Sequence, residues 1–469
     1  MTLPARGGDT LGEMNAKVAA AVLAGKGAAL ASRAARRGGT ALPGLVAERI
    51  HPRLLAALGR QLGRGSVLIT GTNGKTTAAR MAASILEAAG IPFVHNREGS
   101  NLTRGIASAL LARSDVRGRL RLPADSVGLF ETDEATLPAA TELLQPRALV
   151  FTNLFRDQLD RYGEVESVAA LWREALAAAP REAVLVLCAD DPSVAELALD
   201  WPGRVHWFGI DDPTAAGGEA AVADARWCRS CGSDYAYERR FFAHVGHWLC
   251  PGCGRRRPQP DTAARDLSLE LDAAAFAIPG VGRVRMRLTG LYNVWNALAA
   301  AALAHELGVP HEAIARGLGR AAPAFGRQER IDVEGRRLRL FLTKNPAGAN
   351  QVLRLLARVG DGLAVACLLN DRFADGQDVS WIWDVEYELL AGNVARCWAG
   401  GDRAEDMALR LAYAGWPAPE VVPRSPAALL DRIAAETEPG TDVFVLATYT
   451  AMLEFRALLT ERGYVGTWW

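Results

Sequence analysis

"LITGTNGKTTAARM", residues 68–81, runs out of a short apolar stretch, Val67-Leu68-Ile69, into a glycine-rich turn and continues as an Ala- and Met-rich segment of helical character. The order predicted is strand, loop, helix. Gly71 and Gly74 let the backbone approach a phosphate closely, and amide groups at the helix start point towards it. Lys75 supplies a cation, and the hydroxyl of Thr76 or Thr77 can complete a Mg²⁺ shell. The spacing is not that of the commonest phosphate loop. Thr72 and Asn73 alone separate the two glycines, where the pattern G-x-x-x-x-G-K-[ST] has four intervening residues. Residues 72–77 (Thr72, Asn73, Gly74, Lys75, Thr76, Thr77) are the predicted nucleotide cradle.

Outward from this loop, apolar runs alternate with helical patterns. "SVGLFETDE" (126–134), "RALVFTN" (147–153) and "AVLVLCADD" (183–191) each place polar or acidic residues directly after a buried-looking strand, with Ala/Leu-rich stretches between them. This rhythm predicts a parallel sheet covered by helices, with ligands at the carboxyl ends of the strands. A Mg²⁺ needs carboxylates, and "FETDEA" puts Glu131, Asp133 and Glu134 at one strand end, Glu131 and Asp133 on the same side of an extended chain. "TNLFRDQLDRYGE" adds Asn153, Asp157 and Asp160 at the next.

The composition changes near residue 226. "CRSCGSDYAYERRFFAHVGHWLCPGC" is a C-x₂-C-x₁₈-C-x₂-C pattern formed by Cys228, Cys231, Cys250 and Cys253. Each pair fits a tight knuckle and four thiolates satisfy tetrahedral Zn²⁺, so a closed structural zinc ribbon is predicted over 226–258. His244 and His247 lie between the pairs as possible substitutes. After "FGRQERI" (325–331) a second strand–helix alternation begins, which predicts a separate C-terminal α/β domain.

The bulk numbers agree. A chain of 469 residues is too long for one core. Lys and Arg number 53 and Asp and Glu 53, so nothing global suggests nucleic acid or an anionic membrane surface. Ala19–Leu23 is too short to span a bilayer and reads as part of an amphipathic helix rather than a signal peptide, and no other segment approaches transmembrane length. A cytoplasmic protein with at most peripheral membrane contact is expected.

"TGTNGKTT", the Glu of "FETDEA", "TNLFRDQLDRYGE", "GLYNVWNALAAA" and "GRQER" stand in the order seen in the Mur ligase family, which this chain resembles over about 60–330 and more loosely beyond. Those enzymes use ATP to make an acyl phosphate and join an amine to it. The resemblance implies that Lys75 and Thr76 hold ATP phosphates and Mg²⁺, that Glu131 is a catalytic-site Mg²⁺ ligand, and that Asn293 and Arg327 contact the nucleotide. It implies a fold with an N-terminal helical segment (1–58), a Mur-ligase-like P-loop ATPase domain (59–330) carrying the ribbon, and a C-terminal α/β domain (331–469). Two departures stand out: Asp157-Gln158-Leu159-Asp160 replaces the usual Asp-His-Leu-Asp, and "LTKNPAG" (342–348) replaces Asp-Tyr-Ala-His-Asn-Pro.

"LLNDRFADGQDVSWIWDVEYE" (368–388), "TKNPAGAN" and "ATYTAMLEFR" resemble one branch of that family, synthetase subunits that work beside a glutaminase. This branch implies ATP-dependent amidation of the D-glutamate α-carboxyl of lipid II, the lipid-linked cell-wall precursor, at the inner face of the membrane. A glutaminase needs an activated cysteine beside a histidine. Outside the zinc set remain Cys188 and Cys367, in apolar strand patterns, and Cys397, before Trp398. None reads as activated, and the resemblance implies a separate GatD-type partner carrying Cys and His. Asp378 is then expected to serve that pair as its third member, with Asp375 and Asp384 as competing choices. Trp381 and Trp383 are candidates either for that interface or for the domain's own core. A stand-alone amino-acid ligase, or a zinc-ribbon nucleotide switch, are the alternatives.

Overall fold

The computed structural model describes residues 11–34, 41–96, 100–156, 165–215, 224–322, 328–422 and 424–466. Two sheets organise it. The first has nine strands: β1 (Ser66–Thr70), β2 (Phe93–His95), β3 (Val127–Glu131), β4 (Ala148–Phe151), β5 (Val184–Cys188), β6 (Val205–Ile210), then, beyond a separate hairpin of β7 (Ala236–Phe242) and β8 (Val245–Leu249), β9 (Thr262–Leu269), β10 (Ala274–Ile278) and β11 (Gly282–Met286). Their order in space is β11-β10-β9-β6-β5-β4-β1-β3-β2, parallel from β2 to β9 and antiparallel thereafter.

β1 lies between β3 and β4. The chain therefore leaves β1 towards one side of the sheet and returns on the other, which opens a crevice at the carboxyl end of β1. Val67, Leu68 and Ile69 are buried because helices cover both faces, which explains the continuous rather than alternating apolar run. One cover is the helix Leu291–Glu306, whose alanines 297, 299, 300, 301 and 302 are all buried. Small side chains all round let it pack closely against the helix Lys75–Ala88 and the sheet.

The second sheet orders β12 (Glu329–Val333), β13 (Arg336–Leu342), β17 (Asp442–Ala447), β14 (Leu363–Leu368), β15 (Val394–Gly400) and β16 (Glu420–Val421). Only the β12–β13 hairpin is antiparallel. Separate apolar clusters pack on its two faces, one around Phe341, Leu353 and Leu411 and one around Leu338, Val443 and Phe455. A helical layer formed by Leu11–Ala34, Leu42–Ile50, Leu54–Gly59 and Thr103–Ala112 packs on the central domain. Among the described residues no helix is long and apolar enough to cross a membrane.

Candidate active site at the phosphate loop

The loop after β1 is shaped by steric contact. Gly74 has φ +85°, and a Cβ there would sit 2.0 Å from Asn296 Oδ1, so only glycine fits. Asn153 fixes the loop from the next strand: its Nδ2 donates to the Asn73 carbonyl (2.9 Å) and its Oδ1 accepts from the Asn73 amide (2.9 Å). The Thr72 hydroxyl donates to the Phe155 carbonyl at 3.1 Å and accepts from the Phe155 amide at 2.9 Å. Lys75 opens the following helix.

Lys75 is not a loose cation. Its Nζ donates to the Gly71 carbonyl (2.6 Å) and to Glu134 Oε1 (2.6 Å), and both side chains are buried. Burial pushes the Glu134 carboxyl above its ordinary range, against the pull of the Lys75 ammonium. Beside this pair, the Thr76 hydroxyl donates to Glu131 Oε1 at 3.0 Å. Asn96 positions Glu131 by accepting from its amide (2.9 Å) and donating to its carbonyl (2.8 Å). A hydroxyl and a carboxylate converging at the first turn of a phosphate-loop helix are a donor set suited to Mg²⁺. Asp133 lines the same cavity as Glu131 and Glu134, as expected of this strand end. β3 ends at Glu131, and Asp133 lies in the following turn, where its Oδ1 accepts from the Ala135 amide at 3.1 Å.

These groups line a cavity of about 640 Å³ between the two sheets. Thr72, Asn73, Gly74, Lys75, Thr76, Thr77, Glu131 and Asn293 all reach it. Asn293 is held by donation from its Nδ2 to the Thr289 carbonyl (2.8 Å). Arg327 and the stretch Asp157–Asp160 lie outside the described residues. Several lining residues were not singled out from sequence: Asn296, Gln328, Lys344, Gln351 and Tyr449. Asn296 had a signal, because three residues after Asn293 on a helix is the same face. Gln328, Lys344, Gln351 and Tyr449, which come from loops and helices flanking the second sheet, had no spacing to tie them to the phosphate loop. Asn345, which caps the helix Pro346–Leu356 by accepting from the Gly348 amide (2.8 Å), also donates to Asn73 Oδ1 at 3.0 Å and so ties the phosphate loop to the C-terminal domain.

The four cysteines converge. All four Sγ atoms lie within 4.8 Å of one another. Gly232 and Gly254, each directly after the second cysteine of a pair, share φ +76°, so the two knuckles turn alike. Hydrogen bonding by Ser233 draws the Cys231 thiol down to about 6, towards the thiolate that a metal takes. The histidines do not join them: His247 Nε2 lies 2.9 Å from the Ile210 carbonyl oxygen, and buried His244 lies 3.4 Å from Asp191. The β7–β8 hairpin docks through Trp248, whose Nε1 donates to the Ala189 carbonyl (3.0 Å), and its tip residues Phe242 and Val245 form part of the cavity wall.

The C-terminal loop separates its three acids by environment. Asp375 is buried and accepts from the Thr450 amide (2.7 Å) and hydroxyl, and burial raises its pKa. Asp384 pairs with Arg156 at 3.4 Å. Asp378 is exposed; its Oδ1 accepts from the Ser380 amide at 2.8 Å, and hydrogen bonds from the Ser380 hydroxyl and amide hold its pKa low. Phe373 and Ala374, a few residues earlier, line the cavity. Trp381 is half-buried against the core, whereas Trp383 is 49% exposed and meets Tyr413 edge-on at 5.6 Å. Cys188, Cys367 and Cys397 are buried, and burial raises the pKa of all three thiols, Cys397 to about 12.

A parallel sheet with its phosphate loop at the switch point, facing a second α/β domain across the nucleotide cavity, defines an ATP-dependent ligase of the Mur type. Residues 69–230 match the Mur ligase middle domain, and residues 342–452 match the MurT ligase C-terminal domain. The chain is 34% identical over 461 residues to the lipid II isoglutaminyl synthase (glutamine-hydrolyzing) subunit MurT of Streptococcus pneumoniae, a match covering 96% of this chain and 99% of that one. It is 32% identical over 397 residues to the subunit of the same name from Staphylococcus aureus, covering 84% and 87%. Among solved structures, a pseudomurein peptide ligase type C from Methanothermus fervidus superposes with a TM-score of 0.66 at 20% identity, covering 86% of this chain and 80% of that one. The chain belongs to the MurT family.

Proposed function

We propose that this chain is the synthetase subunit of an amidating complex that converts the D-glutamate α-carboxyl of lipid II to D-isoglutamine, with ammonia delivered by a GatD-type glutaminase. A carboxylate oxygen attacks the γ-phosphorus of ATP and ADP leaves. Ammonia then attacks the acyl carbon, the carbon–oxygen bond to phosphate breaks, and one proton is lost from nitrogen. A carboxylate is a poor electrophile, and phosphorylation supplies the leaving group that it lacks.

Lys75 is assigned to the transferring phosphoryl group, where its charge is worth most in a water-poor cavity. Glu131 and Thr76 would hold Mg²⁺, which offsets phosphate charge when bound. Asn293 and Arg327 are assigned to the nucleotide. The four cysteines would hold a structural Zn²⁺; a closed thiolate set leaves no open position for catalysis. Asp378 is assigned to the partner's Cys–His pair as the carboxylate that orients the imidazole. Of the three acids it is the most exposed, Asp375 being buried and Asp384 partly exposed and paired with Arg156.

The observation that carries the reading is the near full-length match to a protein named as a subunit, on a chain whose remaining thiols are buried and unactivated. The test is phosphate release by the purified chain with lipid II, ATP and ammonium, with hydroxylamine added to trap an acyl phosphate as hydroxamate. Amidated lipid II and a hydroxamate are expected. Stimulation by an amino acid in place of ammonia would favour a stand-alone ligase, and turnover indifferent to any amine would favour a nucleotide switch.

A further inference from the structure

The chain as a whole is neutral, but its charge is unevenly placed. Residues 16–32, 41–64 and 100–122, which cover most of the N-terminal helical layer and its connecting loops, contain eleven Lys and Arg against two acids. Both acids are engaged. Asp115 accepts from the Arg117 and Arg119 amides (2.8 and 3.0 Å), and Glu48 is half-buried beside Thr103 and Arg104. Elsewhere arginines meet carboxylates closely: Arg257 on Asp190 at 2.6 Å, Arg339 on Asp442 at 2.7 Å, Arg456 on Glu329 at 2.9 Å. In the helical layer Arg49, Arg53, Arg60, Arg113 and Arg117 are exposed.

Large apolar side chains are exposed in the same layer. Leu23 and Leu30 are 54% and 66% exposed, and Val116 53%. Leu23, Lys26 and Leu30 are spaced i, i+3, i+7, so they lie on one face of their helix. Val18, Ala21, Val22 and Gly25 point the other way and are buried. The loop carrying Arg117 and Arg119 is fastened to this layer: a Cβ on Gly118 would lie 2.6 Å from Val18, and Gln61 Nε2 donates to the Gly118 carbonyl at 2.8 Å. The layer also meets the active site, because Ala41, Leu42 and Arg104 line the nucleotide cavity.

We infer that this helical layer is a docking surface for an anionic phospholipid bilayer, which holds the cavity beside a substrate whose lipid tail stays in the membrane. The inference rests on the lipid-linked acceptor proposed above. Charge complementarity commits it to a lipid surface: basic residues near such a surface are drawn to its anionic headgroups, and exposed leucines add shallow insertion.

The experiment is co-sedimentation of the full chain with vesicles of equimolar phosphatidylglycerol and phosphatidylcholine, compared with phosphatidylcholine alone. Binding to the anionic vesicles that weakens as salt rises is expected. The variant Arg113→Glu/Arg117→Glu/Arg119→Glu is expected to weaken it about tenfold or more, Arg→Gln at the same positions less, and Leu30→Ser to reduce binding without changing its salt slope. Equal binding to both vesicle types, or full binding by the charge-reversed variant with an unchanged thermal midpoint, overturns the inference. Tighter binding to a short RNA or DNA duplex than to anionic vesicles overturns it in favour of nucleic acid. No arm contains lipid II or ATP. Absence of vesicle binding by the parent chain with amidation intact therefore rejects the surface alone, and vesicle binding without amidation rejects the reaction alone.

Discussion

The phosphate loop and the Asp378 loop are built in opposite ways on one chain. At the phosphate loop each functional group already has a partner: Lys75 on Glu134, Thr76 on Glu131, Asn73 between Asn153 and Asn345. The backbone there turns at Gly74, where any side chain would be strained and would press on Asn296. At the C-terminal loop, Asp375 and Asp384 are engaged with other parts of the chain, while Asp378 is exposed and bonds within its own turn, to Ser380. The first region is organised to receive a small molecule. The second presents an exposed carboxylate, the one proposed above to serve a partner.

The sharpest way to break this contrast is Asp378→Asn in the complex with the glutaminase. Glutamine-driven amidation is expected to fall about 10³- to 10⁴-fold, as for loss of an orienting carboxylate, with ammonia-driven amidation within about twofold of the parent. Equal loss with both nitrogen sources would place Asp378 in the synthetase instead. Lys75→Met should do the opposite and lower turnover about 10³-fold whichever nitrogen source is used. It also leaves Glu134 buried without its cation, so a lower thermal midpoint should accompany it.

Cys250→Ser or chelation should strip bound zinc, measured by metal analysis, and weaken ADP binding about tenfold because the hairpin wall loosens. Unchanged ADP affinity after complete zinc loss would detach the ribbon from the site. The smallest effect concerns pH and belongs to neither loop. Burial, with His206 and His311 nearby, lowers the pKa of His305 to about 4. The folded state therefore resists a proton that the unfolded chain accepts near 6.5, so stability is full above that pH and declines as pH falls towards 4. His305→Gln should flatten the decline in thermal midpoint without altering nucleotide affinity.

The central sheet was legible in the sequence because burial on both faces leaves unbroken apolar runs, those of β1, β3 and β4 ending in polar residues that reach the cavity. The ribbon was legible because knuckle spacing is a local constraint. What sequence could not supply was partnership over distance. Glu134 reads as one more acid at a strand end, and only the fold sets it against Lys75, 59 positions away. Asn345 reads as a helix cap, which it is, yet its contact with Asn73 spans 272 positions and two domains. The basic helical layer was hidden for a different reason: a whole-chain tally of charge averages over surfaces that face different things.

The β7–β8 hairpin has a further implication. Because Phe242 and Val245 at its tip stand in the wall of the nucleotide chamber, the thiolate cluster at its base is a strut for that chamber. On the zinc and amidation roles proposed above, metal shortage would reach this chamber through its wall, ahead of any shortage of nucleotide or nitrogen donor.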